Sequence, residues 1–292
     1  MKTILVTGST GFVGSNLVKE LRTQKKYNII GAVENEDGTT DKYQCNECIK
    51  TVSNTALLYG NLSGVDVVIN CAFARSNNPA LLADALNFTA NLAESIKKIE
   101  AKSLINISSQ GVYKRLTSGN LQSEDSEIEP IDMYSMAKYS AEQIFNVSKC
   151  APFITNVRLA SINMKQRFLY AFVNKIINNE PIVLTAPDQN AALLDVKDAV
   201  LGLISLAEMP GEKRKPIYNL GISKQMTILE YANIVVKVLK QYGYSGEIII
   251  DRSKNEVSNS GMDCSLIMND TGWRPVVTVE EMVKEYYKLL IQ

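Results

Sequence analysis

A short apolar run, Thr3-Ile4-Leu5-Val6, breaks into three glycines spaced by two residues, Thr7-Gly8-Ser9-Thr10-Gly11-Phe12-Val13-Gly14, and a helical pattern follows over Ser15 to Thr23 with Leu17, Val18 and Leu21 on one face. Glycine is needed at such a strand-turn-helix junction because the backbone turns tightly, lies close to a pyrophosphate and packs helix against strand. The helix start then offers free N–H groups and the positive end of its dipole to phosphate. The spacing predicts a dinucleotide cradle formed by Gly8, Thr10, Gly11, Phe12, Val13 and Gly14.

The rest of the chain agrees with that beginning. Strands are predicted at Asn28–Val33, near Cys48–Val52, and at Val65–Asn70, Ser103–Ser108 and Thr155–Arg158. Helical patterns separate them: a short one at 54–59, a long one at 81–100, and Tyr134–Lys149. This alternation predicts an α/β fold, a Rossmann-like doubly wound parallel sheet. The strands are continuous apolar runs, as expected of a sheet covered on both faces. Beyond Arg158 the rhythm loosens. Helices are predicted at 168–178, 195–208, 228–242 and 279–290, with short strands at 181–184, 218–220 and 247–250, and an exposed loop at Met209–Lys215. The reading is a dinucleotide-binding domain over residues 1–160, with 190–220 packing back onto it. A smaller lobe, mainly 161–292, caps the carboxyl edge of the sheet and binds substrate.

Composition removes several chemistries. The 292 residues include no histidine, which excludes imidazole-held zinc or haem and any Ser-His-Asp or Cys-His hydrolase; no metal is expected. With 31 basic and 31 acidic side chains there is no electrostatic case for nucleic acid or an anionic membrane surface. No run approaches eighteen apolar residues, and Met1–Gly8 reaches a glycine turn too early for a signal peptide. Five cysteines, an odd number, fit reduced thiols in a cytoplasmic protein. Cys45 and Cys48 form a C-x-x-C, but it follows a polar loop rather than a strand, so neither a redox nor a zinc site is expected.

Two further groups carry chemistry. Glu34, at the tip of the second strand, can accept hydrogen bonds from ribose hydroxyls and would repel a 2′-phosphate. No arginine lies between Arg22 and Arg75, so NAD is expected rather than NADP. In Tyr134-Ser135-Met136-Ala137-Lys138 a phenol and an ammonium lie four apart on one helix face. A cation one turn away, helped by an oxidised nicotinamide, would bring a phenol of pKa about 10 toward the working range. Upstream, Ser108-Ser109-Gln110-Gly111-Val112-Tyr113 leaves the end of a strand beside the first crevice. A serine hydroxyl there can hold the substrate oxygen while the tyrosine moves its proton.

With these residues in order, the chain resembles an extended short-chain dehydrogenase/reductase of the NAD-dependent epimerase/dehydratase group over essentially its whole length. The resemblance also rests on Asp66-Val67-Val68-Ile69-Asn70-Cys71-Ala72-Phe73, Val196-Lys197-Asp198-Ala199-Val200, Tyr218-Asn219-Leu220-Gly221 and Thr271-Gly272-Trp273-Arg274-Pro275. It implies Ser109 as the catalytic serine and Tyr134 as the acid/base. Lys138 would hold the ribose, and Cys71, Ala72, Phe73 and Ile107 would line the cofactor. It also implies a homodimer formed by the Tyr134 helix and the long helix before it, with Ile144, Phe145 and Val147 available for contact.

Departures from the group narrow the chemistry. Members that dehydrate a sugar carry an Asp-Glu pair where this chain has Gln110 and Gly111, which have no proton to give. Those that epimerise at two carbons use a histidine. What remains is hydride transfer at one carbinol or ketone, as a 4-epimerisation or a reduction, most simply of a nucleotide-activated sugar. An arginine that commonly grips the nucleotide diphosphate is Ala191 here, whereas Arg252 falls where a second such arginine is expected. A reductase of a small non-nucleotide carbonyl therefore stays open, as does a non-catalytic dinucleotide-binding regulator, against which the intact Ser109, Tyr134 and Lys138 count. Lys114 and Arg115 face either substrate or water. Phe168, Tyr170 and Phe172 read as core, and Trp273 as structural.

Overall fold

The computed structural model describes residues 1–33, 47–50, 62–116, 120–251 and 260–292. In chain order the elements are β1 (Lys2–Thr7), α1 (Phe12–Thr23), β2 (Tyr27–Val33), β3 (Glu47–Lys50), β4 (Val67–Asn70), α2 (Pro79–Lys98), β5 (Ser103–Ser109), α3 (Met133–Ser148) and β6 (Phe153–Leu159). Then follow α4 (Phe168–Ile177), β7 (Ile182–Leu184), β8 (Asn190–Ala191), α5 (Val196–Glu208), β9 (Ile217–Leu220), β10 (Met226–Thr227), α6 (Ile228–Lys240), β11 (Ile248–Ile250), α7 (Ser265–Thr271) and α8 (Val279–Ile291).

Seven strands form one sheet in the order β3-β2-β1-β4-β5-β6-β9, every neighbouring pair parallel. The chain runs outward from β1 in one direction, returns, and continues from β4 in the other, so a crevice opens at the carboxyl ends of β1 and β4. Alternation along each strand assigns its side chains to two layers. Ile4, Val6, Ile69, Ile105 and Ile107 pack with Leu17 of α1 and Leu203 of α5 on one face. Leu5, Val68 and Leu104 pack with Leu92 and Ile96 of α2 and Phe145 of α3 on the other. Phe145 is fully buried in that layer, so of the three side chains expected at a dimer face it is not available.

Helix α1 begins at Phe12, three residues before the predicted start. Gly14 lies inside the helix because α1 rests on the turn itself: a Cβ at Gly14 would stand 2.2 Å from the Gly8 carbonyl oxygen. Gly8 has φ of +60°, where a side chain is strained.

A third apolar cluster holds the C-terminal elements together, with Phe172 and Ile176 of α4, Val235 and Leu239 of α6, and Tyr286 of α8 at its centre. Around it β7 pairs parallel with β11, and β8 antiparallel with β10. The two-residue strands β8 and β10 and helix α7 were not anticipated, being too short to show a period. Helices α6 and α8 open on reciprocal capping boxes, Thr227 with Glu230 and Thr278 with Glu281. The Val-x-Asp run is structural. Buried Asp198 accepts from the backbone N–H groups of Val276 and Val277, and Trp273 Nε1 donates to its carbonyl at 3.0 Å. The segment Met209–Lys215, expected as exposed loop, contains a 3-10 turn at Gly211–Lys213 and a buried Arg214. The helix predicted at 54–59 lies outside the described residues. Among the described residues no helix is long and apolar enough to cross a membrane.

Candidate active site

A row of polar side chains crosses the sheet just below its carboxyl edge. Thr7 Oγ1 donates to Asn70 Oδ1 at 2.6 Å, Asn70 Nδ2 to Asn106 Oδ1 at 2.9 Å, and Asn106 Nδ2 to Asn156 Oδ1 at 2.9 Å. These residues are register partners on β1, β4, β5 and β6, so each amide meets the next without distortion. Asn70 Oδ1 also accepts from the Ala72 N–H, which fixes the loop after β4 against the glycine turn. A Cβ on Gly8 would lie 2.8 Å from Ala72 Cα.

Above this row lies a cavity of about 890 Å³. Gly11, Phe12 and Val13 form one wall, and Gly11 caps α1 with no side chain across the first N–H groups. Gly8 and Gly14 sit beneath as supports, and Thr10 is exposed. Cys71, Phe73 and Ile107 line the floor. Ser109, Tyr134 and Lys138 all face this cavity, so the three proposed catalytic side chains converge with the glycine turn. Glu34 and Arg252 lie outside the described residues.

Local structure explains each placement. Ser109 ends β5, and its Oγ accepts from the Gly111 N–H at 3.1 Å as the chain enters a 3-10 turn; its own proton stays available. Asp132 caps α3 by accepting from Ser135 N at 2.7 Å, so the phenol and amine of Tyr134 and Lys138 project from the first two turns toward the sheet edge. Lys138 is buried, donates to the Ile107 carbonyl at 2.7 Å, and lies 4.1 Å from the centroid of the Phe73 ring. Burial brings its pKa down to about 7, opposed by the nearby Cys71 and Glu142.

The phenol departs from the expectation. Burial raises the pKa of Tyr134; Arg75 lowers it, Asp132 raises it and Arg167 lowers it. The nearby cations acting on it are thus two arginines, while Lys138 sits over Phe73, whose ring meets Tyr134 edge-on with centroids 6.2 Å apart. Beneath Lys138, Glu142 forms a buried two-pronged ion pair with Arg158, Nε to Oε1 at 3.1 Å and Nη2 to Oε2 at 2.9 Å. Ser108 donates to the same carboxylate, and the Arg158 guanidinium lies 4.7 Å from the Tyr113 ring centroid.

Several cavity residues were missed in the sequence. Arg75, four positions after Cys71, and Arg167, immediately before α4, both line it. Their signal was their place just beyond the carboxyl end of a strand, where this topology collects ligand contacts. Arg115 lines the cavity, whereas exposed Lys114 pairs with Glu127 and Glu129. Phe168 and Phe172 serve both the core cluster and the cavity wall, and Ala191 presents a methyl where an arginine was sought.

Comparison with known proteins agrees with this architecture. Residues 4–221 match the family described as "NAD dependent epimerase/dehydratase family". GDP-6-deoxy-D-talose 4-dehydrogenase of Aggregatibacter actinomycetemcomitans is 32% identical over 164 residues, which are 53% of this chain and 51% of the relative, so that match spans about half of the relative's length. GDP-L-fucose synthase of Azorhizobium caulinodans is 22% identical across 99% of this chain and 96% of its own. The crystal structure of UDP-N-acetylglucosamine 4-epimerase from Bacillus cereus superposes with a TM-score of 0.85 at 20% identity, covering 100% of both chains.

Proposed function

Because the chain belongs to the NAD dependent epimerase/dehydratase family, we propose that it is an NAD(H)-dependent enzyme transferring a hydride at a single carbinol or ketone carbon of a nucleotide-activated sugar, as a 4-epimerase or 4-ketoreductase. The observation that carries this reading is the convergence of Ser109, Tyr134 and Lys138 on one cavity walled by the glycine turn. The turn fits a dinucleotide: Gly8 and Gly14 stand where a Cβ would collide with backbone, and the uncapped start of α1 faces the cavity. Bound there, the nicotinamide supplies the hydride acceptor or donor.

The chain's own groups do the rest. Ser109 keeps a free hydroxyl proton to place on the substrate oxygen. Among the described residues the Tyr134 hydroxyl has no hydrogen-bond partner, so it is open to that oxygen and to its proton. Lys138, whose pKa burial brings down to about 7, offers a nearby group whose charge can be switched on once the site is filled. Gln110 and Gly111 supply no second acid, which argues against dehydration. Glu34 favours NAD over NADP, and Arg252 is the remaining candidate for a diphosphate contact. Unbridged Cys71, Cys150 and Cys264 suit a cytoplasmic setting. Exposed Met133, Met136 and Val147 on the outward side of α3 support a homodimer through α2 and α3.

The test is Tyr134→Phe. Turnover of a nucleotide sugar should fall by at least a thousandfold while NAD binding persists, and undiminished turnover would overturn the assignment.

A further inference from the structure

The cavity carries an unusual charge balance. Among the described residues its basic lining comprises Arg75, Arg115, Arg167 and Lys138 against a single carboxylate, Asp132, and Asp132 is engaged at the cap of α3. Arg75 and Arg167 lie close enough that each acts on the phenol of Tyr134, and Arg75 depresses the pKa of Arg167. Among the described residues neither is in an ion pair. Arg167 Nε is buried with no acceptor, and Arg75 Nη1 meets only the thioether of Met164, a weak acceptor that an oxyanion readily displaces. Two like charges held together without a counter-charge form a site built for an anion.

We propose that Arg75 and Arg167 clamp a carboxylate on the sugar itself, so that the substrate is a nucleotide-activated uronic acid. This rests on the hydride-transfer reading above. The position of the pair selects the source of the anion. Both arginines line the cavity with Tyr134, whose hydroxyl must reach the reacting C4 oxygen, and both act electrostatically on that phenol. The group next to C4 on a pyranose is the C5 substituent, which is a carboxylate in a uronic acid. The nucleotide diphosphate hangs from the anomeric carbon on the opposite side of the ring. Its place is therefore another part of the same cavity, which Gln189 and Ala191 also line. Arg75 and Arg167 are specificity residues here, holding the ring so that its C4 oxygen meets Tyr134.

The experiment is a calorimetric titration of the NAD-loaded, full-length protein with matched pairs on the same nucleotide: UDP-glucuronate and UDP-glucose, dTDP-glucuronate and dTDP-glucose, GDP-mannuronate and GDP-mannose. On the preferred nucleotide the uronate should bind at least tenfold tighter than its neutral partner. R167Q, and separately R75Q on the exposed arm, should bring that ratio close to one. Equal binding of both members of each pair overturns the carboxylate proposal and leaves the nucleotide-sugar reading intact. A ratio unchanged in R167Q while both members weaken assigns the pair to the diphosphate and also overturns it. Weakened NAD binding in R167Q, titrated in parallel, gives the pair to the cofactor with the same consequence. Silence across all six compounds with NAD bound removes the nucleotide-sugar reading and the proposal with it.

Discussion

Replacing Lys138 by methionine should make the cofactor-free protein more stable at acid and neutral pH, not less. The amine is buried among Cys71, Phe73 and the Ile107 carbonyl, and its pKa falls from 10.5 to about 7. At about 1.4 kcal/mol per pH unit, that places roughly 5 kcal/mol against the charged form. A lysine whose folded value lies below its unfolded one binds fewer protons folded than unfolded, so its effect on stability improves as pH rises between the two values. The penalty is full below about pH 7 and declines toward pH 10.5. Methionine keeps the unbranched apolar stem and removes only the terminal amine and its charge. It also abandons the hydrogen bond to Ile107, worth about 1 kcal/mol at every pH. Lys138→Met should therefore exceed the wild type by roughly 4 kcal/mol at pH 6. Its advantage should shrink by about 1.4 kcal/mol per unit above pH 7 and reverse near pH 10. Reversible urea unfolding of both proteins across pH 6 to 10 gives the difference directly, since titrations common to both cancel. A difference flat in pH, or a wild type that gains relative to the variant on acidification, would refute the reasoning.

Two further outcomes follow from the packing. Glu142→Gln strips the charge from the buried pair and leaves the Arg158 guanidinium, 3% exposed, without its counter-ion; urea unfolding should show a loss of about 3–5 kcal/mol, and a loss below about 1 would mean the pair is replaceable. Gly14→Ala places a Cβ 2.2 Å from the Gly8 carbonyl, against 3.2 Å for Gly11→Ala. The first should cost about 1–3 kcal/mol and abolish NAD binding measured by calorimetry, while the second should unfold within about 1 kcal/mol of the wild type.

How much of this was legible beforehand depends on whether a residue's role is local. The strands of the sheet were readable because burial on both faces demands continuous apolar runs, and Thr3–Val6, Val67–Asn70 and Ser103–Ser109 satisfy that demand within a few residues. The convergence of Ser109, Tyr134 and Lys138 was readable because each lies at a strand end or on one helix face. The asparagine row was not. Asn70, Asn106 and Asn156 are thirty-six and fifty residues apart, and only the register of three parallel strands brings their amides together. Arg75 and Arg167 carried only a positional signal, their place beyond strand ends, and that they line one cavity with Tyr134 appears only in the folded chain. Strands β8 and β10 are two residues long, which leaves no period to detect.

The charge states of α3 give the site its logic. Tyr134, Lys138 and Glu142 follow at intervals of one turn, from the cavity toward the core. Burial acts on the first two in opposite directions, raising the phenol and lowering the amine; in both cases it disfavours the charged form. Below them, the carboxylate of Glu142 is bound by Arg158 and Ser108. Without ligand, burial thus favours the protonated phenol and weakens the hold of Lys138 on its proton. That is the reverse of the phenolate–ammonium pair that hydride abstraction requires, and it makes proton removal from Tyr134 a consequence of ligand binding. An anion seated on Arg75 and Arg167 would offset the two charges that now lower the phenol. It would hold the proton in place more firmly, whereas a bound oxidised nicotinamide would supply a positive charge that favours its release.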